Sequence, residues 1–274
     1  MKVAAIQLRV DAPRAELIER AADQIRRAAS EGARLVLLPE LYSAPFVQPD
    51  PDLTYFAHAE SAEGPSAQMP QRLSAELGIT IVGSIFEQGD VPGTYFNTAQ
   101  TFVGGELRST YRKSHLPFSN GFPEKFYFRP GSKPPEVVVT QDMTVGTIIC
   151  YERHFPELGR IVALAGGQVM CVPVASASTP MREVFQLELR AQAVFNSMFV
   201  VCANRIGTEG VKDYFGLSAI YDPDGSIIGQ AKDDGSDEAV VADIDITAVE
   251  RTRERRPFLR DRRPDLYSSI CAAQ

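Results

Sequence analysis

The chain opens with a change of hydrophobic period. Residues 2–8, KVAAIQL, form a short apolar run, and in the AELIERAADQIRRAASEG that follows, Ile18, Ala22, Ile25 and Ala29 recur at helical spacing before Gly32. ARLVLLPE (33–40) is then apolar without alternation, as in a strand buried on both faces. This β-α-β opening predicts a crossover helix packed on a sheet. The pattern repeats at once: SAQMPQRLSAELG (66–78) sets Met69, Leu73 and Leu77 on one helical face, and ITIVGSIFE (79–87) follows as another buried strand.

The middle of the chain changes style. YFNTAQTFV (95–103), a Gly-Gly pair and ELRSTYRK (106–113) predict an antiparallel hairpin, and a loop rich in proline, glycine and aromatics spans His115 to Pro135. TVGTIIC (144–150) reads as a buried strand, PELGRIVALAGG (156–167) as a helix and QVMCVPV (168–174) as a strand. PMREVFQLELRAQAVFNSM (180–198) is a long amphipathic helix carrying Val184, Leu187, Ala191 and Phe195, followed by the strand FVVCANR. A last hairpin turns on Asp222-Pro223-Asp224-Gly225, and AVVADIDI (239–246) closes the folded part. No linker or repeat divides the 274 residues, so a single domain is expected. Roughly a dozen strands exceed what one ordinary sheet needs, and an α/β sandwich of two sheets with outer helices fits better.

Composition narrows the function classes. With 44% hydrophobic residues the chain can bury a sizeable core, yet no run approaches the ~20 apolar residues of a membrane span. The opening residues meet Arg9 and Asp11 too early for a secretory signal, so a soluble, cytoplasmic protein is expected, with no membrane partner. The net charge of −7 argues against nucleic acid as a partner. The one basic concentration, RTRERRPFLRDRR (251–263), reads as a tail pairing with acidic surface or contacting another subunit. Cys150, Cys171, Cys202 and Cys271 are far apart, and His58, His115 and His154 are scattered, so neither a metal site nor a disulfide framework is expected.

Three charged or reactive residues stand at the ends of apolar runs: Glu40, Lys113 and Cys150. Singly, a cysteine there is ordinarily packing, and a carboxylate or ammonium is ordinarily solvated. Together they form a chemical set. A carboxylate can take a thiol proton, an ammonium can stabilise an oxyanion, and N–H groups of the turn after Cys150 can face its sulfur.

The stretches LVLLPEL, YRKSHLPF and GTIICYERHFPE around these residues resemble the nitrilase superfamily of carbon–nitrogen hydrolases, with GSIFE, FNTA, RAQAVFNSMFVVCANRIG and DRRPDLY as supporting pieces over nearly the whole chain. The resemblance implies a four-layer αββα sandwich that commonly dimerises, with residues 251–274 a tail used in subunit contacts. It implies Glu40 as general base, Lys113 as the cation beside the tetrahedral intermediate, Cys150 as nucleophile and Glu124 as a second glutamate orienting Lys113 or water. Lys113 and the Tyr151 backbone N–H would hold the oxyanion, with no cofactor.

For the substrate, Arg153 lies three residues after Cys150, as in branches that hydrolyse N-carbamoyl amino acids, and His154 resembles the N-carbamoyl-β-alanine pattern. Both become candidate ligands of a substrate carboxylate, against the alternative that Arg153 pairs with Glu152 or Glu157. EKFYFRPG and FLRDRRPDLY instead look like N-carbamoylputrescine amidase, which usually shows tryptophans after its nucleophile; this chain has none. An N-carbamoyl amino acid is therefore the preferred substrate, with ω-amides, aliphatic amides or N-carbamoylputrescine as alternatives. A non-catalytic binding protein on the same scaffold is a further alternative. A Cys-His-Glu glutaminase would need a late histidine, and none follows His154. The VASASTPMREVF connection (174–185) is short, which would either leave the pocket wider or reshape its entrance, and Tyr42, Phe46, Phe118 and Phe126 are aromatics on the expected rim loops, where packing within the loops is their expected job and substrate contact the alternative.

Overall fold

A computed structural model describes residues 1–272 apart from 120 and 178. Its elements run β1 (Lys2–Arg9), α1 (Arg14–Ser30), β2 (Ala33–Leu37), α2 (Pro65–Leu77), β3 (Thr80–Gln88), β4 (Tyr95–Val103), β5 (Glu106–Arg112), α3 (Glu124–Tyr127), β6 (Val137–Val139), β7 (Thr144–Thr147) and α4 (Pro156–Leu164). They continue with β8 (Val169–Pro173), α5 (Arg182–Asn196), β9 (Phe199–Ala203), β10 (Arg205–Glu209), β11 (Lys212–Phe215), β12 (Ala219–Tyr221), β13 (Ile227–Gln230), β14 (Glu238–Asp243) and α6 (Ala248–Arg255).

The strands form two mixed sheets. One has the order β11-β10-β1-β2-β3-β4-β5, with β14 also paired to β1; the other runs β13-β12-β9-β8-β7-β6. β1, β2 and β3 are mutually parallel, as are β7, β8 and β9, while β3-β4-β5 is an antiparallel meander. Val3, Leu35, Leu37 and Val82 from the first sheet meet Val145, Val169, Cys171 and Val201 from the second in one buried cluster. The opposite face of the first sheet packs on Ala21, Ala22, Ile25, Met69 and Leu73 of α1 and α2. The outer face of the second packs on Val162, Phe185, Leu189 and Ala193 of α4 and α5. The result is the expected αββα sandwich, with alternate sides of each buried strand serving two different apolar layers.

Two expectations need correction. The strands expected to reach Glu40 and Cys150 stop at Leu37 and Thr147. Pro39 has no N–H for a ladder, and Cys150 takes a left-handed φ of 46°, so both ends peel away from their sheets. In α5 the residues facing the sheet are Phe185, Leu189 and Ala193; Val184, Leu187 and Phe195 are 39%, 66% and 53% exposed. The expectation that the loop aromatics pack holds for Tyr42, which is fully buried with the α1–α2 layer, its hydroxyl donating to Ser66 O, and for Phe46, which is buried as well. Phe118 and Phe126 are exposed.

Elsewhere the pattern holds. Gly225, at φ 83°, closes the turn to Asp222, a conformation that favours glycine. The expected loop after Lys113 contains the single turn α3. The basic tail pairs with acidic surface: Arg255 and Arg256 both reach Asp224. Among the described residues the four cysteines are free, and no helix is long and apolar enough to cross a membrane.

Candidate active site

Glu40, Lys113 and Cys150 each follow the C-terminal end of a strand, β2 and β5 in one sheet and β7 in the other, so the sandwich brings them to one edge. Lys113 is anchored first through its backbone, its N–H donating to Asn97 O on β4 at 2.9 Å. Its Nζ then donates to Glu40 Oε1 and to both oxygens of Glu124, each at 2.8 Å. All three side chains are buried, which removes solvent screening from their attraction. Asn97 Nδ2 donates to Glu40 Oε1 at 2.7 Å. Glu40 Oε2 has no hydrogen-bond partner among the described residues, which leaves one buried basic oxygen free to take a proton.

The cluster holds two carboxylates against one ammonium, so charge balance resists a further anion. Burial and the Glu40 carboxylate push the Cys150 thiol up to about 12, with Lys113 and Arg153 offsetting only part of this. The thiol is therefore protonated at rest and needs a base during attack. Burial beside Glu40 pushes Glu124 up to about 7, although Lys113 pulls the other way. Burial opposes the charge on Lys113, but Glu124 and Glu40 outweigh it and hold the ammonium well above the usual lysine range.

Cys150 opens a 3-10 turn, Cys150–His154, and its sulfur lies 3.9 Å from both Ser176 Oγ and Arg153 Nη1. A non-glycine residue at positive φ is uncommon, and such strained residues cluster at active sites, where the surroundings hold them. Tyr151 is the second residue of this turn, where the first N–H groups have no intrahelical acceptor. Cys150, Glu124 and Tyr151 line a cavity of about 290 Å³ together with Phe122, Arg153, His154, Ser176 and Met181. Ser176 and Met181 come from the 174–185 connection, so that segment does shape the pocket, although its residue 178 lies outside those described.

Arg153 and His154 reach the cavity but are already engaged. Arg153 Nε lies 3.0 Å from Glu188 Oε2 on α5, Arg153 Nη1 donates to Cys150 O at 3.0 Å, and His154 Nδ1 meets Glu188 Oε1. The guanidinium does have a carboxylate partner, but it is Glu188 and not the neighbouring Glu152 or Glu157.

Sequence reasoning missed several residues that hold the site. Arg205, fully buried, donates to Glu40 O at 3.1 and 2.9 Å, to Leu41 O at 2.6 Å and to Ala44 O at 2.9 Å, with Glu209 Oε2 at 3.0 Å as its counterion. It pins a turn in which Leu41 takes φ 48°. Lys212, 5% exposed, lies against the Phe46 and Phe122 rings and donates to Val47 O; burial brings it down to about 8. An arginine directly after the apolar FVVCAN was the only signal available for the first, and for the second there was none.

A family model described as carbon-nitrogen hydrolase matches residues 2–254. The chain is 33% identical to N-carbamoylputrescine amidase of Oryza sativa subsp. japonica, over 98% of this chain and 94% of the relative. It is 32% identical to a citrullinase of Francisella tularensis, over 98% of each. A carbon-nitrogen hydrolase structure from Helicobacter pylori G27 superposes with a TM-score of 0.93 at 28% identity, covering 99% of both chains.

Proposed function

The chain belongs to the carbon–nitrogen hydrolase family and hydrolyses amide-type bonds of a small molecule, and we propose that its substrate is a small linear ureido acid, an N-carbamoyl amino acid, cleaved through a covalent intermediate on Cys150. The observation that carries the catalytic part is the buried Glu40, whose Oε2 has no hydrogen-bond partner among the described residues, whose Oε1 accepts from the Lys113 ammonium and whose charge reaches the Cys150 thiol. Glu40 takes the thiol proton as Sγ bonds to the ureido carbon. Lys113 Nζ and the Tyr151 N–H receive the charge that develops on the carbonyl oxygen. Collapse breaks the C–NH2 bond, and Glu40 returns the proton to the leaving ammonia. Water, deprotonated by Glu40, then attacks the S-bound carbamoyl carbon and Cys150 leaves as the thiol. The carbamic acid so released loses CO2 to give the amine. Glu124 holds Lys113 in place during both steps.

Arg153 and His154 on the cavity wall support a carboxylate on the substrate. One observation favours a second reading: the Glu188 carboxylate lies 3.0 Å from Arg153 Nε, without an aligned hydrogen bond among the described residues, and is hydrogen-bonded to His154 Nδ1, which suits a substrate with an amino group or no charge at that end. N-carbamoylputrescine amidase among the relatives points the same way. Ammonia release should be measured across N-carbamoyl-β-alanine, N-carbamoyl-D- and L-amino acids, citrulline, N-carbamoylputrescine, α-keto ω-amides and simple aliphatic amides. Preference for the N-carbamoyl acids supports the first reading, and preference for N-carbamoylputrescine or a neutral amide replaces it with the second. Cys150→Ala should abolish turnover of every substrate while the protein stays folded; retained turnover removes the nucleophile assignment.

The proposal extends to assembly. The exposed stripe Val184, Leu187 and Phe195 on α5, with Ile161 and Leu164 on α4, is an apolar face that a second copy of the chain would cover, together with the 251–274 tail.

A further inference from the structure

Glu152 is fully buried between the nucleophile and the lysine, and the chemistry above gives it no task. Its two oxygens face different segments. Oε2 accepts the Ile149 N–H at 2.7 Å, directly before Cys150. Oε1 accepts the Ser114 N–H at 2.8 Å and the Ser114 and Tyr111 hydroxyls at 2.7 Å each, around Lys113. One side chain thus spans the two sheets where they present nucleophile and cation. The Ile149 link matters because the next residue, Cys150, sits at φ 46°, where an L residue is held only by its surroundings. Burial works against the charge on Glu152, but donors from His115, Ser114, Ile149 and Tyr111 hold it below the usual carboxylate range, so it remains an acceptor on both sides.

We propose that Glu152 is a positioning residue that fixes the Cys150 turn relative to Lys113, setting the separation between attacking sulfur and oxyanion cation. This rests on Cys150 and Lys113 acting as described under Proposed function. Glu152 is not one of the residues lining the cavity, so substrate binding should not report its loss.

Glu152→Gln tests this selectively. The amide oxygen can keep the four donors around Lys113, the His115 N–H at 3.3 Å included, but the amide nitrogen then faces the Ile149 N–H, donor against donor, and the turn loses its tether. Competent sites are counted by iodoacetamide labelling of Cys150 read by peptide mass spectrometry. The expected result is a fall of about 10- to 100-fold in kcat per labelled thiol, with KM changed less than about threefold. A purely structural role would lower the melting temperature and the number of competent thiols but leave kcat per thiol within about twofold of wild type, and that outcome overturns the proposal. If Glu152→Gln does not fold, the Tyr111→Phe/Ser114→Ala double variant keeps Glu152 and its Ile149 bond while loosening the lysine side. It should lower kcat about three- to tenfold at constant KM, and an unchanged kcat is equally fatal. The Cys150→Ala control separates the two levels. Turnover there sinks the catalytic reading itself, whereas a dead Cys150→Ala beside a fully active Glu152→Gln sinks only this inference.

Discussion

Glu188 decides how much positive charge Arg153 shows to the cavity. Its Oε2 stands 3.0 Å from Arg153 Nε, and its other oxygen holds His154 Nδ1. Glu188→Gln removes the negative charge but keeps the length and one acceptor, so the corner changes from neutral to cationic. A unit charge pair about 4 Å apart is worth about 4 kcal/mol at an effective dielectric near 20. Glu188 is 21% exposed, and solvent screening brings the usable part to about half of that, roughly a 30-fold change in binding. KM for N-carbamoyl-β-alanine should therefore fall about 10- to 30-fold, KM for N-carbamoylputrescine should rise by a similar factor, and KM for a neutral aliphatic amide should change less than about twofold. The assay is ammonia release at fixed ionic strength, because screening would shrink the effect at high salt. Equal shifts for all three substrates, or none, would show that Arg153 and Glu188 hold the turn and never meet the substrate's charge.

The remaining expectations concern the catalytic cluster and the outer helix. Removing Lys113 as Lys113→Met leaves Glu40 and Glu124 buried without their cation, so urea denaturation should show a loss of about 3–5 kcal/mol beside an activity loss of about 10²-fold or more. With Glu124 at about 7, lowering the pH through that value protonates it and ends its charge pairing with Lys113. The kcat/KM profile should thus decline on its acid side near pH 7, and in Glu124→Gln this limb should vanish; a limb that persists assigns it to another group. Changing Arg205→Met orphans the carbonyls of Glu40, Leu41 and Ala44 and leaves Glu209 without its cation, so the melting temperature and kcat should drop together, and a wild-type kcat would mean the Glu40 turn holds its shape unaided. If the chain dimerises through α5 as proposed, wild type should sediment as a dimer and Leu187→Asp with Phe195→Asp as a monomer in analytical ultracentrifugation; a monomeric wild type or an unchanged mass would refute this interface.

What could be read along the chain, and what could not, divides by how far apart the interacting residues lie. Glu40 and Cys150 end apolar runs and Lys113 follows a hairpin strand, places where a sandwich exposes chemistry, but it was the resemblance of the three surrounding motifs to one family that joined them. The two sheets followed from counting strands, the parallel ones visible as unbroken apolar stretches and the hairpins by their turn residues. The supporting residues had no such local mark. Asn97 binds Glu40 across 57 positions, Arg205 binds the Glu40 carbonyl across 165, and Glu152 binds Tyr111 across 41. A search for a partner of Arg153 naturally tries Glu152 and Glu157, yet the packing of α5 on the second sheet delivers Glu188 instead.

The α5 face shows a different limit. Val184, Leu187, Ala191 and Phe195 lie at helical spacing, and so do Phe185, Leu189, Ala193 and Asn196 on the adjoining stripe. Periodicity shows that a helix has an apolar side, but with two such stripes it cannot say which meets the sheet. The structure buries the stripe of Phe185 and Leu189, whose neighbours in space are Met170, Val172 and Val200 of β8 and β9. Burying a Leu or Phe side chain contributes about 1.5–3 kcal/mol, so a second stripe left in water has a reason to find cover of its own. If copies associate through it, the face that seemed the wrong one for the core would be the right one for the assembly. It would also brace the helix that carries Glu188, so that a monomeric variant should bind carboxylate-bearing substrates differently from the wild type.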